Sequence, residues 1–221
     1  MSSNVTDQLT QKGRQIESGS FAIVDAEAGD HGWPQEQWTV VRRMVHATAD
    51  FDFVANTAMS DDAIDAGVAA ILSGRPIVCD VGMIAMGLSQ TRLDHFGCTV
   101  HTHIADEDVI TRARALNTTR AVVAMDKAKG LIEGGIVAVG NAPTALLEVA
   151  RMVREEGLKP ALIVGVPVGF VSAEESKEAV LSLPTPYIVC RGRKGGSAVA
   201  VAALHALLAV AEARHADTGA A

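Results

Sequence analysis

The sequence predicts an α/β fold, a three-layer arrangement in which a mostly parallel sheet is covered by helices on both faces. Three observations predict it. First, hydrophobic residues make up 48% of the 221-residue chain but aromatic residues only 4%, so Ala, Val, Ile and Leu must fill the core, as they do between a parallel sheet and its helices. Second, short runs that are apolar on both faces alternate with helical segments along most of the chain. Third, clusters of Gly, Pro and cationic residues follow the ends of those runs, where open parallel sheets bind ligands. The length suits one domain over residues 1–221, and no linker, repeat or low-complexity tract interrupts it.

The elements follow in order. Residues 5–18 read as a short polar helix. A second helix begins after Trp33-Pro34, with Pro early and Glu36 in the first turn, and carries Trp38, Val41 and Val45 as far as Ala49. Ser60-Asp61-Asp62 caps a third, which ends at the Ser73-Gly74 turn. Strands are expected at 76–80, 98–104, 120–125, 135–139, 161–166 and 187–190. Asp106 caps a helix that runs to Leu116, and a helix over 143–155 stops at Gly157 before Pro160. The helix over 172–181 opens with Ser172-Ala173-Glu174-Glu175, a capping-box pattern, and a long helix over 197–215 closes the chain. Parallel strands joined in this way imply right-handed crossovers.

Charge and cysteine usage narrow the function. The net charge of −7 argues against nucleic acid as a general partner, because duplex binding needs a cationic face. No uninterrupted apolar run reaches the roughly 18–20 residues that span a bilayer, and the polar residues 1–12 lack a signal-peptide core, so a cytoplasmic protein without a membrane partner is expected. Cys79, Cys98 and Cys190 each sit in an apolar run and read as buried free thiols; a zinc site would want closer pairs.

Two tight cationic clusters stand out in this acidic chain: Arg42-Arg43, and Arg191, Arg193 and Lys194. Each can hold an anionic small molecule or can be solvated surface charge. The second lies in a turn with three glycines just before a helix, where backbone approach and the helix dipole both favour an anion. The turn Gly140-Asn141-Ala142-Pro143-Thr144 matches neither the dinucleotide nor the P-loop fingerprint, so a nucleotide cofactor is not expected. Asn141 and Thr144 either cap the next helix or, with its first amides, bind a carboxylate. His46 lies one helical turn after Arg42 and Arg43 and shares their face. An ordinary histidine titrates near pH ~6.5, so His46 is a candidate proton donor, with a structural helix-end role as the alternative. Asp50 and Asp52 are either its orienting partners or exposed charges. His101 and His103 share one strand face and, with Asp106 or Asp108, form a conceivable metal site, but the favoured reading is a pair of hydrogen-bonding residues near a strand end. His31, His95, His205 and His215 show no convincing partners in the sequence.

Taken together and in order, these segments resemble the precorrin-8X methylmutase (precorrin isomerase) family of cobalamin biosynthesis. The matching pieces are Ser20-Phe21-Ala22-Ile23, Val40-Val41-Arg42-Arg43-Met44-Val45-His46-Ala47-Thr48, Gly140 to Leu146, Gly165 to Val171, Glu174-Glu175-Ser176-Lys177-Glu178 and Gly192-Arg193-Lys194-Gly195-Gly196-Ser197, which together cover almost the whole chain. The resemblance implies an α/β homodimer that needs no metal or nucleotide cofactor. It implies transfer of a methyl group from C11 to C12 of precorrin-8X, an anionic tetrapyrrole, to give hydrogenobyrinate. His46 matches the family histidine that protonates the macrocycle, eases a 1,5-shift and later takes the proton back. Ser20 and Arg43 match residues that contact substrate. One departure is Asp80-Val81-Gly82-Met83, where many relatives carry Asp-Thr-Asn-Met; two polar positions are lost, and Asp80 and Met83 are left outside the expected site.

The residues agree with that chemistry, because a substrate bearing acetates and propionates suits forked arginine groups. The expected site is therefore His46 as acid and base, with Ser20, Arg42, Arg43, Asn141, Thr144, Arg191, Arg193 and Lys194 binding substrate. The alternatives are a non-catalytic corrinoid-binding or delivery protein, the cobalt-precorrin-8 version of the same isomerase, and, disfavoured by the missing motifs, a nucleotide-dependent α/β enzyme.

Overall fold

The computed structural model describes residues 10–219. Its strands are β1 (Thr57–Met59), β2 (Ile77–Cys79), β3 (Val100–His101), β4 (Ile136–Val139), β5 (Leu162–Gly165) and β6 (Tyr187–Cys190). They form one sheet in the order β1-β6-β5-β4-β2-β3, parallel throughout except for the antiparallel edge pair β1–β6. The helices in chain order are α1 (Gln11–Ala28), α2 (Gln35–Thr48), α3 (Asp52–Asn56), α4 (Ala63–Leu72), α5 (Gly82–Gly87) and α6 (Gln90–Phe96). They continue as α7 (Glu107–Ala115), α8 (Arg120–Lys127), α9 (Lys129–Ile132), α10 (Pro143–Glu156), α11 (Ala173–Leu181) and α12 (Ser197–Gly219).

Strand side chains alternate between two cores, as the period of two requires. Ile77, Cys79, Ile136, Ala138, Leu162, Val164, Ile188 and Cys190 point into the larger core, shared with α2, α4 and α12. Val78, Val137, Val139, Ile163 and Val189 point the other way and meet α8, α10 and α11. Both faces of the central strands are thus dry, which is why those strands read as unbroken apolar runs. α12 is long and apolar enough to cross a bilayer by length and composition. Here that apolarity serves the core: Val199, Ala200, Ala203, Leu204, Ala206, Leu207, Leu208 and Ala211 are all buried.

Several elements differ from expectation. Residues 120–125 form the start of helix α8, not a strand. The Thr119 hydroxyl accepts the Val122 N–H at 3.3 Å, and Ala121, Val123, Ala124 and Met125 are buried. A short apolar run has no distinguishing period, and the cap decides it. The strand expected over 98–104 pairs over two residues only. The expected helix over 5–18 lies partly outside the described residues; within them, α1 starts from a Thr10 cap and continues to Ala28. α3 and β1 fill the segment after α2, and α5 and α6 fill the one between β2 and β3. The capping box at Ser172 does not form, because Ser172 takes a left-handed conformation (φ 58°) and its side chain caps nothing. The extended backbone that aims a cap side chain back at the helix is missing there.

One buried carboxylate ties the sheet to the helix beyond it. From β2 the chain leaves to β3 on one side and returns to β4 on the other, so β2 and β4 flank the point where strand order reverses. Asp80 follows β2 directly and is fully buried. Its carboxylate accepts the backbone N–H groups of Gly140 (3.0 Å), Asn141 (2.9 Å) and Ala142 (2.6 Å), just where β4 gives way to α10. Amides that a helix start leaves without backbone partners are thereby satisfied, with Pro143 as the first helical residue. Burial pushes the Asp80 carboxyl above its ordinary range, and the three amides oppose that push. Close packing reinforces the junction, because a Cβ on Gly140 would lie 2.8 Å from the Ser197 Cα at the start of α12.

Asp80→Ala should therefore leave three amides without their acceptor and lower unfolding stability by about 3 kcal/mol or more, at roughly 1–3 kcal/mol per buried orphan. Urea denaturation measures this as a lower midpoint at an unchanged slope. A loss below about 1 kcal/mol would show that water replaces the carboxylate freely.

Candidate functional site

α2 places the histidine. It buries Trp38, Val40, Val41, Met44 and Val45 against the core and turns Arg42, Arg43 and His46 outward. The helix stops at Ala49, a non-glycine residue in the left-handed region (φ 53°) whose N–H returns to the Val45 carbonyl. His46 thus sits in the last turn, where the carbonyl end of the helix favours positive charge. It lines a cleft of about 270 Å³ with Ser20, Ile23, Val24, Glu27, Val45, Ala49 and Phe51. The Ser20 hydroxyl donates to the Ile16 carbonyl at 2.9 Å, one turn back in α1.

α1 crosses this face and brings an aromatic ring to it. The Phe21 ring lies 4.9 Å from the His46 ring, tilted by 51°. The Arg42 guanidinium sits 4.5 Å and the Arg43 guanidinium 5.8 Å from the centre of the same ring. Three cation-capable groups of α2 therefore surround one aromatic side chain. Two acids of α1 meet the arginines: Asp25 pairs with Arg42 at 3.0 Å and Glu17 with Arg43 at 3.3 Å. The Trp38 indole N–H donates to the second oxygen of Asp25 at 2.8 Å.

The turn over 191–197, which joins β6 to α12, reaches the segment just after α2. Lys194 donates to Asp50 and Asp52, each at 2.6 Å. That pairing holds the Asp50 carboxyl below and the Lys194 ammonium above their ordinary ranges. Asp50 and Asp52, read from the sequence either as orienters of His46 or as exposed charges, are thus the partners of an expected anion contact, and together they strap the turn to the segment after α2. Among the described residues Arg191 pairs at a distant 3.7 Å with Glu178. Arg193 lies 5.6 Å from the ring of Phe170, which is 84% exposed. Val171, Met83 and Met86 are likewise exposed, in the segments beyond β5 and β2.

The carboxylate site expected at the start of α10 is closed, because Asp80 occupies the amides of Gly140, Asn141 and Ala142. The Asn141 side chain stays exposed, and the Thr144 hydroxyl meets that of Thr119 at 3.0 Å. His101 and His103 turn to separate partners, Thr99 (2.9 Å) and Asp106 (2.8 Å), and Lys127 also pairs with Asp106. Cys79, Cys98 and Cys190 are buried free thiols, and burial pushes Cys79 up to about 12 and Cys190 up to about 11. A separate cleft of about 560 Å³ between α7 and α8 carries Arg114 and Arg120, neither singled out in the sequence.

Lys177 is another residue that sequence reasoning passed over. Its side chain is fully buried, and its ammonium donates to the carbonyls of Gly192 (2.8 Å) and Lys194 (2.7 Å). Burial lowers its pKa. It pins the cationic turn from beneath; the clue in the sequence was a lone Lys in the Glu174–Glu178 run. His205 is similar: its Nε2 accepts the Ser89 N–H at 3.3 Å, across to the start of α6. Burial first, then the nearby Arg92 and Arg43 charges, push it down to about 4. It is therefore neutral at pH ~7 and adds no charge beside Arg43.

The chain matches the family model described as precorrin-8X methylmutase over residues 15–210. It is 54% identical to a cobalt-precorrin-8 methylmutase of Leptospira interrogans over 94% of this chain and 98% of the relative. It is 42% identical to a precorrin-8X methylmutase of Pseudomonas aeruginosa over 88% of this chain and 94% of that one. The solved structure of a precorrin-8X methylmutase from Thermus thermophilus superposes with a TM-score of 0.87 at 51% identity, covering 91% and 98% of the two chains.

The depressed pKa of His205 sets a pH dependence. Unfolded, the ring titrates near 6.5; folded, near 4. Between those values the unfolded chain binds more protons, so this contribution is complete above pH 6.5 and is lost as the pH falls toward 4. His205→Gln can still accept from Ser89 but does not titrate. Thermal midpoints measured from pH 7 to 4 should fall less in the variant than in the wild type; parallel curves would remove His205 as a cause.

Proposed function

The chain belongs to the precorrin-8X methylmutase family, isomerases of cobalamin biosynthesis that transfer a methyl group within one molecule, and from that premise we propose that it moves the C11 methyl of precorrin-8X to C12, giving hydrogenobyrinate, with His46 as the acid. The observation that carries the reading is the juxtaposition at the end of α2, where His46 and Ser20 line one cleft and Arg42 and Arg43 stand on the same aromatic ring as His46.

In this reading His46 lends a proton to the macrocycle. The bond from the methyl to C11 breaks as the bond to C12 forms, and the proton returns to the imidazole. No atom or electron is gained or lost, so the protein needs only to position the ring and carry one proton. General acid catalysis of this kind contributes about 10²- to 10⁴-fold. Arg43, Arg191 and Arg193 hold peripheral carboxylates in forked contacts, Ser20 and the exposed Asn141 add polar contacts, and Phe170, Val171, Met83 and Met86 offer apolar surface to the ring faces. Arg42, Thr144 and Lys194 serve the site from behind, through Asp25, Thr119 and the Asp50–Asp52 strap.

A homodimer belongs to the same proposal, since α1 buries only Val24 and exposes Ile16 and Ile23, an apolar surface that a second copy can cover. The burial of α12 in the core supports reading it as a core helix, consistent with the proposed cytoplasmic biosynthetic enzyme. The name of the 54%-identical relative favours cobalt-precorrin-8 as a second substrate reading. Parallel assays with metal-free and cobalt-loaded substrate decide between them by kcat/KM.

His46→Ala should lower kcat by about 10²- to 10⁴-fold while hydrogenobyrinate still binds within about threefold of the wild-type affinity. Stopped absorbance of the corrin chromophore reads the first and equilibrium titration the second. Near-normal turnover in the variant would sink the mechanism.

A further inference from the structure

The two arginines of α2 are not held alike. Both oxygens of Asp25 are engaged, one by the Trp38 indole at 2.8 Å and one by Arg42 at 3.0 Å, and the Arg42 guanidinium lies against Phe21. Arg42 is thereby built into the α1–α2 contact. The Arg43–Glu17 pair is a single contact at 3.3 Å, longer than the roughly 2.7–2.9 Å of a good charge-assisted bond. Arg43 also lies farther from the Phe21 ring.

We propose that Glu17 is a placeholder carboxylate, which holds Arg43 in a ready conformation in the empty enzyme and is displaced by an acid side chain of the substrate. This rests on the functional reading above, in which Arg43 binds a substrate carboxylate. Glu17 sits on α1, whose packing is slight: it rests on α2 and buries only Val24. Its carboxylate can leave Arg43 by a rotamer change without disturbing the core. Asp25, clamped by two donors, cannot leave so cheaply. Glu17 is then a specificity-determining residue. A ligand without a carboxylate at this position must bind beside an intact Arg43–Glu17 pair and gains nothing from Arg43, whereas an anionic ligand exchanges one weak carboxylate contact for a better one.

The consequence runs against ordinary expectation, because removing this ion-pair partner should tighten binding. Glu17→Gln keeps the shape and removes the competing charge. At low ionic strength the dissociation constant for hydrogenobyrinate and KM should both fall by about two- to fivefold, the scale of a partly exposed ion pair. The gain should vanish in an Arg43→Gln background. Asp25→Asn should instead lower the thermal midpoint more than Glu17→Gln does, with no tightening. The idea is overturned if Glu17→Gln leaves affinity unchanged or weakens it, if the gain persists without Arg43, or if Asp25→Asn is the variant that tightens. Product binding involves no chemistry, so these outcomes stand apart from His46→Ala turnover, which alone tests the acid.

Discussion

The structure turns on the contact between the Asp80 carboxylate and three backbone amides at the start of α10. A parallel sheet that reverses its strand order leaves a crevice at the reversal, and the following helix start presents amides to it. In many folds of this kind a bound anion fills that place. Here a fully buried side chain fills it, which couples β2 to α10 and brings β4 close enough to α12 that only glycine fits at position 140. The amides at this helix start are thus already taken, and in the proposed function the peripheral carboxylates of the substrate are left to side chains, Arg43 of α2 and the cationic turn before α12.

Those cations divide into supports and contacts. Lys177 is buried beneath the turn and holds two of its carbonyls, while Lys194 straps the turn to the segment after α2. Arg42 fastens α1 through Asp25. In the proposed function the remaining cations, Arg43 with its Glu17 contact, Arg191 and Arg193, are the substrate contacts, with His46 at the carbonyl end of the same helix as Arg43.

Much of this was legible in the residues. The central strands declared themselves because burial on both faces leaves unbroken apolar runs, and the Arg42–His46 face followed from helical spacing. Residues 120–125 were misread because five apolar residues carry no period, and the deciding signal was Thr119 one position earlier. The roles of Asp80, Lys177 and His205 were hidden because each acts on backbone groups that folding alone brings near, as with Asp80 and Gly140, 60 residues apart. Likewise, nothing along the chain says that Glu17, Phe21 and Asp25 of one helix will meet Arg43, His46 and Arg42 of the next. That pairing depends on how α1 crosses α2.

The central claim is that an anionic tetrapyrrole binds against His46. Histidine-selective NMR, with the imidazole carbons labelled and hydrogenobyrinate titrated in, tests it most directly. The account predicts that the His46 resonances shift in proportion to occupancy while those of His101 and His103, held by Thr99 and Asp106, stay in place. A stationary His46 with saturable shifts at His101 or His103 would contradict it.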